Sequence, residues 1–522
     1  MYTLGLILAR LLTLPARAQL VQAAGSPEPA AQTQAGQRPP AEREPGGGPL
    51  AAFMSNWLKS PILRQSQVGV EIIELPSGRL IYSFNGSRRF TPASTAKVFT
   101  CACAFDTLGS AYLYHTDLVA YGPIKKDRLA GDLVLVLSQD PTLDSANLGK
   151  MLSCLESNKI RYIEGAIELA PVAGGGDQFN PGWLAEDWGQ EWMPVSSDFV
   201  LDHNIASGRD PGRGLAVVTD SLENVQHSLF RTVLLSDLAA GWVSYDQAGR
   251  CVRVCRSSQP SMSAAAGLVV ANPDQYNLAA LSTMIKNMGI RFSAHPTIRV
   301  SHVDGRLLGT ATSKPLSRVI YETLKESDNL YAQQILRTLG ARAAAGKGAA
   351  PASIEEAGLA AIRDWLSGLG VASSEVVLVD GCGLSRKNCI TPHALNVVLK
   401  HMAGTAVDGP FLDLLRMDGN DSTFFRFKTG AMDSVRAISG VIRSAGGSNL
   451  AATIMVNGHT PQVGSLRGHF FSLVRALESM PALTGPAHGQ SAPAQAAPAA
   501  ASAAKPAPSP RTRTGKRRHK HR

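Results

Sequence analysis

The chain has 522 residues, of which 44% are apolar and 18% charged, an ordinary composition for a globular protein with two or three substantial cores. Its net charge is +10, but +8 of this lies in residues 484–522, which leaves +2 for the rest of the chain. The body of the chain is therefore nearly neutral, and its net charge does not indicate nucleic-acid binding. We therefore expect no nucleic-acid partner.

Both ends of the chain are predicted to lie outside the folded part. Residues 1–24 resemble a secretory signal peptide, although Arg10 interrupts the apolar segment and no positive charge precedes it. Residues 25–50 are predicted to form a Pro/Ala/Gly-rich linker. Residues 481–522 are predicted to form a disordered basic Ala/Pro-rich tail, and the alternative is that the tail binds an anionic partner such as a lipopolysaccharide surface or a nucleic acid. No other stretch reaches the roughly 20 apolar residues of a membrane span. We expect a periplasmic protein whose mature chain has no transmembrane span.

Residues 51–112 are predicted to form the first part of an α/β domain. Strands at 68–75 and 80–84 flank a Pro-Ser-Gly turn, and a buried helix follows from about Pro92 to Gly109. That helix carries Ser94 and Lys97, which three-residue spacing places on one face. Alone, Ser-x-x-Lys is weak, because chance produces it in most chains of this length.

The middle of the chain, residues 113–312, changes to a mainly β pattern that indicates one or two inserted domains. Strands are predicted at 133–137, 161–169, 215–218 and 251–255, with one helix at 275–288. Residues 313–480 return to the α/β pattern. There we predict helices at 317–324, 330–339, 354–369 and 463–480, a loop at 341–350, a glycine-rich turn at 380–386, and strands at 375–379, 424–427, 437–443 and 451–456.

Seven cysteines, an odd number, leave at least one thiol unpaired within the chain. Cys101 and Cys103 are predicted to be buried in their helix. Cys382 and Cys389 bracket a loop, so the sequence allows either a disulfide between them or two free thiols. No C-x-x-C spacing with histidine partners occurs, and we expect neither a metal site nor a cofactor.

Three motifs stand in chain order: Ser94-x-x-Lys97, Ser327-Asp328-Asn329 and Lys428-Thr429-Gly430. This ordered set is typical of penicillin-binding proteins and serine β-lactamases. Attack on an unactivated amide needs a serine activated by a base, and a Lys97 amine whose pKa is lowered by desolvation and by Lys428 supplies one.

Each motif has a further predicted role. Ser327 relays the proton to the leaving amine, Asn329 binds the substrate backbone, and Lys428 with Thr429 holds a terminal carboxylate. The backbone N–H groups of Ser94 and of Ala431, which follows Gly430, are expected to form the oxyanion hole. For Asp328 two interpretations stay open, a helix cap and a catalytic acid.

Ser94 and Ser327 are 233 residues apart. With this long insertion between its motifs, the chain resembles the D-alanyl-D-alanine carboxypeptidase/endopeptidase family of class C low-molecular-mass penicillin-binding proteins, also called the DacB type or peptidase S13 family. The resemblance covers about residues 51–480. Supporting stretches are Gly131-Asp132-Leu133, Asp140-Pro141-Thr142-Leu143, Ala271-Asn272-Pro273, and Asp380 to Asn388, which matches the family's D-G-S-G-L-S-R-x-N with Cys382 in place of serine.

The resemblance implies an α/β (α+β) transpeptidase/β-lactamase-like domain interrupted by the insertion. It also implies D,D-carboxypeptidase and D,D-endopeptidase action on peptidoglycan stem peptides and cross-links through a Ser94 acyl-enzyme, with β-lactams as covalent inhibitors. The family's pocket for the diaminopimelate side chain maps onto Asp187, Trp192, Arg386 and Asp433. Packing in the core is the alternative for Trp192, and capping of a loop is the alternative for Arg386.

Two departures from the family pattern are visible. Residues 417–427 form a shorter connection before Lys428 than is usual, and Asp433 places a charge where a neutral polar residue is common. Two other functions stay open: a serine β-lactamase, which differs in how fast water removes the acyl group, and a catalytically weak peptidoglycan-binding protein. The joint presence of Ser94, Lys97, Ser327, Asn329 and Lys428 argues against the second.

Overall fold

The structure is a computed structural model that describes residues 49–172, 180, 182–184, 187, 192–193, 195–206, 243–245, 252–254, 268–269, 273–298, 305–345, 353–404, 409–420, 423–460 and 463–481. The predicted signal peptide, nearly all of the linker and tail, and the strand predicted at 215–218 lie outside the described residues. In the described part, no helix is long and apolar enough to cross a membrane.

The helices, numbered in chain order over the described residues, are α1 (Pro49–Leu58), α2 (Lys97–Leu108), α3 (Ser145–Ser157), α4 (Pro273–Asn287), α5 (Leu316–Glu326), α6 (Asn329–Ala344), α7 (Ile354–Gly368), α8 (Pro392–Ala403) and α9 (Val463–Glu478).

The strands, numbered in the same way, are β1 (Gln67–Leu75), β2 (Leu80–Phe84), β3 (His115–Tyr121), β4 (Ile124–Lys125), β5 (Arg128–Leu129), β6 (Asp132–Val136), β7 (Tyr162–Ile163), β8 (Ile167–Ala170), β9 (Ile205–Ala206), β10 (Val243–Tyr245), β11 (Val252–Val254), β12 (Leu268–Val269), β13 (Arg291–Phe292), β14 (Thr297–Ile298), β15 (Arg306–Thr312), β16 (Val376–Val377), β17 (Cys389–Ile390), β18 (Arg416–Gly419), β19 (Phe424–Met432), β20 (Val435–Arg443) and β21 (Asn449–Asn457).

A six-stranded antiparallel sheet joins the two distant parts of the chain. Its order is β18-β19-β20-β21-β1-β2, so the hairpin near the start of the fold pairs with strands near its end. The junction is the β1–β21 pair, which runs in unbroken register from Gln67 opposite Asn457 to Leu75 opposite Asn449. Nine matched residue pairs on a sheet buried on both faces fix this register, because a slip by one residue would turn every side chain to the wrong face.

Helices cover both faces of the six-stranded sheet. Side chains such as Ile73 and Met455 belong to a core with helices α2 and α5 to α8. On the opposite face, Phe425 and Ile454 pack with α1 and α9, where the Trp57 ring stacks on His469 at 4.3 Å between ring centroids. The result is a three-layer arrangement, which agrees with the α/β class that the sequence predicted for this part of the chain.

Residues between α2 and α5 form separate sheets with a core of their own. One sheet has the order β14-β8-β6-β3-β15 and another β13-β7-β5-β4, and helices α3 and α4 contribute buried side chains to the same core. The predicted strand at 161–169 is interrupted at Gly165, where it divides into β7 and β8.

The structure differs from the sequence predictions at two helices, one that was not predicted and one that continues into a predicted loop. Helix α3 was not predicted, although Asp144 caps it through the Asn147 N–H at 2.7 Å and Leu148, Leu152 and Leu155 bury one face. The loop predicted from residue 341 begins later, because α6 continues to Ala344. Alanine has the highest helix propensity, so the small residues extend the helix.

The cysteines agree with one of the two alternatives. Cys382 and Cys389 are both free, as are the buried thiols of Cys101 and Cys103. Cys382 faces a small cluster with Trp183 and Met193, whereas Cys389 belongs to the short strand β17. Burial raises the pKa of the Cys101 thiol to about 12.

A buried ion cluster connects the inserted region with two helices of the α/β part. Arg337 of α6 is 3% exposed. It donates through Nη2 to Asp198 Oδ1 at 2.7 Å and through Nη1 to Glu355 of α7. Asp198 also accepts from Gln139 Nε2 at 2.8 Å. Each buried charge therefore depends on the others for compensation.

We predict that Arg337→Leu lowers the free energy of unfolding by about 3–5 kcal/mol, because it leaves two carboxylates buried without their cation. Denaturant unfolding followed by tryptophan fluorescence measures the loss. The control is Arg318→Leu on α5, which breaks a salt bridge to Glu322 whose arginine side chain is 53% exposed, and which should cost less than about 1 kcal/mol. Equal losses in the two variants would contradict the prediction.

Candidate active site

Ser94 lies in a tight 3₁₀ turn, Ala93–Ala96, which leads directly into α2 at Lys97. The sequence predicted the beginning of an α-helix here, and the structure places Ser94 just before it. Ala93 has a φ of 49°, a left-handed conformation that is unfavourable for a residue with a Cβ. Backbone strain of this kind persists only where the surroundings hold it.

Two glycines let the surroundings approach closely enough to hold this turn. A Cβ at Gly383 would lie 2.0 Å from the Ala93 carbonyl oxygen, and one at Gly430 would lie 2.4 Å from the Pro92 carbonyl oxygen. Both distances are far below van der Waals contact. The loop that carries Gly383 and the strand that carries Gly430 therefore clamp the Ser94 turn from two sides.

The Lys97 amine is fully buried among three oxygen atoms. Nζ lies 3.1 Å from Ser94 Oγ, 2.5 Å from Asn329 Oδ1 and 2.7 Å from the Cys382 carbonyl oxygen. Desolvation lowers the pKa of Lys97, against the opposing influence of negative groups such as Asp380. Burial of Lys97 thus accounts for the lowered pKa that the sequence analysis attributed to burial and Lys428 together.

Counting donors assigns a direction to these hydrogen bonds. A neutral amine has two N–H donors and one lone pair. The carbonyl oxygens of Asn329 and Cys382 only accept, so they take the two donors. The lone pair is left for the Ser94 hydroxyl, the one partner that can donate. The arrangement therefore fits a base that removes the Ser94 proton.

Asn329 is the first residue of α6, and both the nitrogen and the oxygen of its side-chain amide have hydrogen-bond partners that orient it. Its Nδ2 donates to the Trp192 carbonyl oxygen at 2.5 Å, which leaves Oδ1 facing Lys97. The preceding Asp328 caps the helix, because its Oδ1 accepts from the Tyr331 N–H at 2.8 Å. Of the two interpretations of Asp328, the cap is the one that the structure supports.

Lys428 and Ser327 form the second half of the site. Lys428 is 2% exposed, and its Nζ donates to Ser327 Oγ at 2.9 Å and to the Thr429 carbonyl oxygen at 2.8 Å. Ser327 follows α5 in a left-handed conformation with φ 62°. Desolvation, and next the repulsion that acts when Lys97 is protonated, lower the pKa of Lys428 to about 7.

Strand β19 presents an open edge next to the nucleophile. Its neighbour β18 pairs only with Phe424 to Phe427, whereas β20 pairs with all of β19. In the described part of the chain, residues 428–432 therefore have a strand partner on one side only. Thr429 and Ala431 are exposed there. Such an edge can pair with an extended peptide through its backbone groups.

Asp380 organises the loop that supplies the Cys382 carbonyl. Its carboxylate accepts from Gly383 N at 2.7 Å, Ser385 N at 2.7 Å, Asn388 Nδ2 at 2.9 Å and Trp183 Nε1 at 2.9 Å. The sequence analysis quoted this stretch as a family signature without assigning a role to Asp380. An aspartate at the start of a glycine-rich turn, with an asparagine at its end, was the available signal.

Of the four residues predicted to bind a side chain, the structure brings two into contact. Arg386 and Asp433 lie together, because Arg386 Nη1 donates to the Asp433 carbonyl oxygen at 3.0 Å. Trp192 is 52% exposed, which is inconsistent with a core position, and its carbonyl contacts Asn329. Asp187 lies in a short turn with its N–H donating to Leu184 at 3.1 Å. A link between Asp187 and Arg386 stays a prediction.

The three sequence motifs thus meet around one cleft, with Ser94 between a buried lysine and the open edge of a strand. A serine hydroxyl next to a neutral amine, and backbone N–H groups at a strand edge, can together perform acyl transfer. A second lysine and a hydroxyl nearby can hold an anionic group of the substrate.

Comparisons with known proteins identify the family of the chain. Residues 50–469 match the model of the D-Ala-D-Ala carboxypeptidase 3 (S13) family. The chain is 24% identical over 420 residues to D-alanyl-D-alanine carboxypeptidase DacB of Haemophilus influenzae, covering 76% of this chain and 86% of that protein. It is 26% identical over 458 residues to a D-alanyl-D-alanine carboxypeptidase of Actinomadura, covering 77% and 80%.

The fold agrees as well. The crystal structure of penicillin binding protein 4 (dacB) from Haemophilus influenzae superposes with a TM-score of 0.71 at 23% identity, covering 82% of this chain and 99% of that one. This likeness confirms the predicted α/β transpeptidase/β-lactamase-like fold. The family match spans well over half of the residues, and the chain belongs to the D-Ala-D-Ala carboxypeptidase 3 (S13) family.

Proposed function

We propose that this protein is a serine D,D-carboxypeptidase and D,D-endopeptidase that acts on peptidoglycan stem peptides and cross-links through an acyl-enzyme at Ser94. The observation that carries the proposal is the position of Lys97. Its amine is fully buried, and among its partners in the described part of the chain the Ser94 hydroxyl, 3.1 Å away, is the one able to donate a proton.

Acylation follows from this geometry. Ser94 Oγ forms a bond to the carbonyl carbon of a D-alanyl peptide while its proton passes to Lys97 Nζ. The negative charge that develops on the carbonyl oxygen is held by the N–H groups of Ser94 and Ala431. The C–N bond then breaks, and the leaving amine takes a proton that Ser327, 2.9 Å from Lys428, is placed to relay. Water hydrolyses the ester and restores Ser94.

Substrate binding uses the open edge of β19. An extended peptide adds to this edge through backbone hydrogen bonds. The terminal carboxylate is held by the Lys428 charge and the Thr429 hydroxyl, and Gly430 keeps the strand close to the Ser94 turn. An endopeptidase substrate has the same bond inside a cross-link, so the same groups act on it.

Asp187, Trp192, Arg386 and Asp433 are proposed to bind the zwitterionic end of a diaminopimelate side chain. An acid pairs with its ammonium group and an arginine pairs with its carboxylate. The contact between Arg386 and the Asp433 backbone, at 3.0 Å, supports a shared site for these two residues. The negative charge of Asp433 strengthens binding of the ammonium group.

The names of the relatives support both the proposed substrate and the proposed class of inhibitor. The names of the Haemophilus influenzae and Actinomadura proteins describe D-alanyl-D-alanine carboxypeptidases. The Haemophilus influenzae protein has also been crystallised in complex with a β-lactam. We extend both properties to this chain and propose β-lactams as covalent inhibitors at Ser94. A peptidoglycan substrate further supports export to the periplasm, for which we propose residues 1–24 as the signal peptide. We also propose that residues 51–112 and 313–480 form one domain and that residues 113–312 are inserted in it.

We predict that Ser94→Ala abolishes both a persistent adduct with labelled penicillin and the release of D-alanine from a pentapeptide, without lowering the thermal midpoint. The variant lacks the atom to which the acyl group bonds. Gel fluorescence and a D-alanine assay measure the two activities. Ser77→Ala, in the β1–β2 turn, is the control and keeps both. Rapid penicillin hydrolysis by the unmodified protein, with muropeptides left intact, would support a β-lactamase instead.

The protonation state of Lys428 predicts how the rate of acylation changes at alkaline pH. Because its pKa is lowered to about 7, its charge is present below this pH and disappears above it. The second-order rate constant for acylation by penicillin, which carries a carboxylate, should therefore fall as the pH rises past about 7. In Lys428→Arg, whose guanidinium stays charged, this decline should move beyond pH 9. An identical decline in both proteins would refute the assignment.

Arg386→Ala should reduce cleavage of diaminopimelate-containing muropeptides at least about tenfold, the effect of losing a charged hydrogen bond to the substrate. Acylation by penicillin, which lacks that side chain, should change less than twofold. Chromatography of muropeptides and stopped-flow acylation provide the two rates. Lys387→Ala removes the same charge from the adjacent exposed position and should affect neither. Equal losses in both reactions would exclude a side-chain role for Arg386.

A further inference from the structure

A strained turn of the inserted region reaches the Ser327-Asp328-Asn329 segment. Three consecutive residues in it, Asp202, His203 and Asn204, have φ values of 47°, 63° and 53°. Each is a left-handed conformation in a residue with a Cβ, which is unfavourable unless the surroundings hold it. Three such residues in succession require strong local restraint.

The first and third residues of the turn provide that restraint. Asp202 accepts from the Ser145 N–H, at the start of α3, at 2.9 Å. Asn204 is 1% exposed; its Nδ2 donates to the Val195 carbonyl oxygen at 2.8 Å, and its Oδ1 accepts from Asn277 of α4 at 3.0 Å. With both neighbours anchored, the direction of the His203 side chain is determined by the inserted region.

His203 points away from that region and contacts the helix cap of α6. Its Nε2 lies 3.2 Å from Asp328 Oδ2, while Asp328 Oδ1 accepts from the Tyr331 N–H. The His203 ring also packs on the Tyr331 ring at 5.3 Å between centroids. Both oxygens of the Asp328 carboxylate are thus held, one by the helix and one by the insertion.

Asp328 is flanked in the chain by the two residues whose side chains contact the lysines. Ser327, itself left-handed at φ 62°, contacts Lys428, and Asn329 contacts Lys97. A shift of the Asp328 backbone would move both contacts together. We infer that His203 is a positioning residue for acylation, acting through Asp328 on Ser327 and Asn329. This inference rests on the function proposed above.

The contact between His203 and Asp328 borders a polar cleft of about 380 Å³, which His203 helps to line. Charged and titratable groups from several elements surround the pair and line this cleft: Asp140, Asp144, Asp202, Lys314 and Tyr331. The side chain of His203 is 31% exposed and that of Asp328 is 19% exposed. Because solvent screens such a pair, we expect a moderate effect on rate, about fivefold.

The test compares His203→Leu with His203→Gln in the full-length protein. Both replacements are unbranched at Cβ and meet the same backbone strain, but only glutamine can donate to Asp328. The readouts are the rate constant for acylation by labelled penicillin, D-alanine release, and the thermal midpoint. Leucine should lower both rates about fivefold and glutamine should restore them to within about twofold, with equal thermal midpoints. Equal impairment of the two variants would overturn the inference.

A second arm uses Asp328→Asn, which keeps the helix cap because asparagine is an equally good N-cap residue but removes the charged partner. If His203 acts through Asp328, then His203→Leu should cause no further loss in this background. A full fivefold loss there would overturn the inference as well. Failure of the unmodified protein to acylate or to release D-alanine would refute the proposed function instead, so the two failures are distinguishable.

Discussion

The whole site depends on one buried amine. Lys97 has no contact with solvent, and its three oxygen partners come from the 3₁₀ turn, from the start of α6 and from the loop that follows β16. Taking an ammonium group out of water is unfavourable, so burial favours the neutral form. A neutral amine in turn needs a donor for its lone pair, and Ser94 provides it. The packing of three distant segments thus places a neutral amine where it can accept the proton of the Ser94 hydroxyl.

Most of the surrounding structure serves to keep these segments in place. Glycines at 383 and 430 permit backbone contact with the strained Ser94 turn, and the four hydrogen bonds to Asp380 hold the loop that presents the Cys382 carbonyl. Asp380, Cys382 and Gly383 need not touch a substrate for this. They hold the reactive groups rigidly, which is what catalysis by positioning and by oriented dipoles requires.

The insertion is connected to the site by polar contacts as well as by the chain. Asp198 reaches the middle of α6 through Arg337, and His203 reaches its first turn through Asp328. Trp192 also contacts the site, through its carbonyl oxygen. Helix α6 therefore carries Asn329, a partner of Lys97, at its start and receives contacts from the insertion along its length. This arrangement explains how a separate set of sheets can contribute to the precision of a site that it does not itself contain.

The sequence by itself determined the reactive groups, their order, the hairpin that begins the fold and the separation of the α/β part into two stretches. These features are local patterns of residue type, and Ser94, Lys97, Ser327, Asn329 and Lys428 each belong to a short motif. Helix α3 and the end of α6 were missed or misplaced, although their signals, a cap with an apolar face and a run of alanines, were present.

Only the tertiary structure decided which atoms meet. The carbonyl oxygens of Cys382 and Trp192 carry no signature in the sequence, because every residue has one. The contact from Lys97 to Cys382 spans 285 positions, and the one from His203 to Asp328 joins two separate cores. Contacts of this kind depend on how the sheets and helices pack. For the same reason Asp328, equally compatible with a cap and an acid in the sequence, became a cap only in the fold.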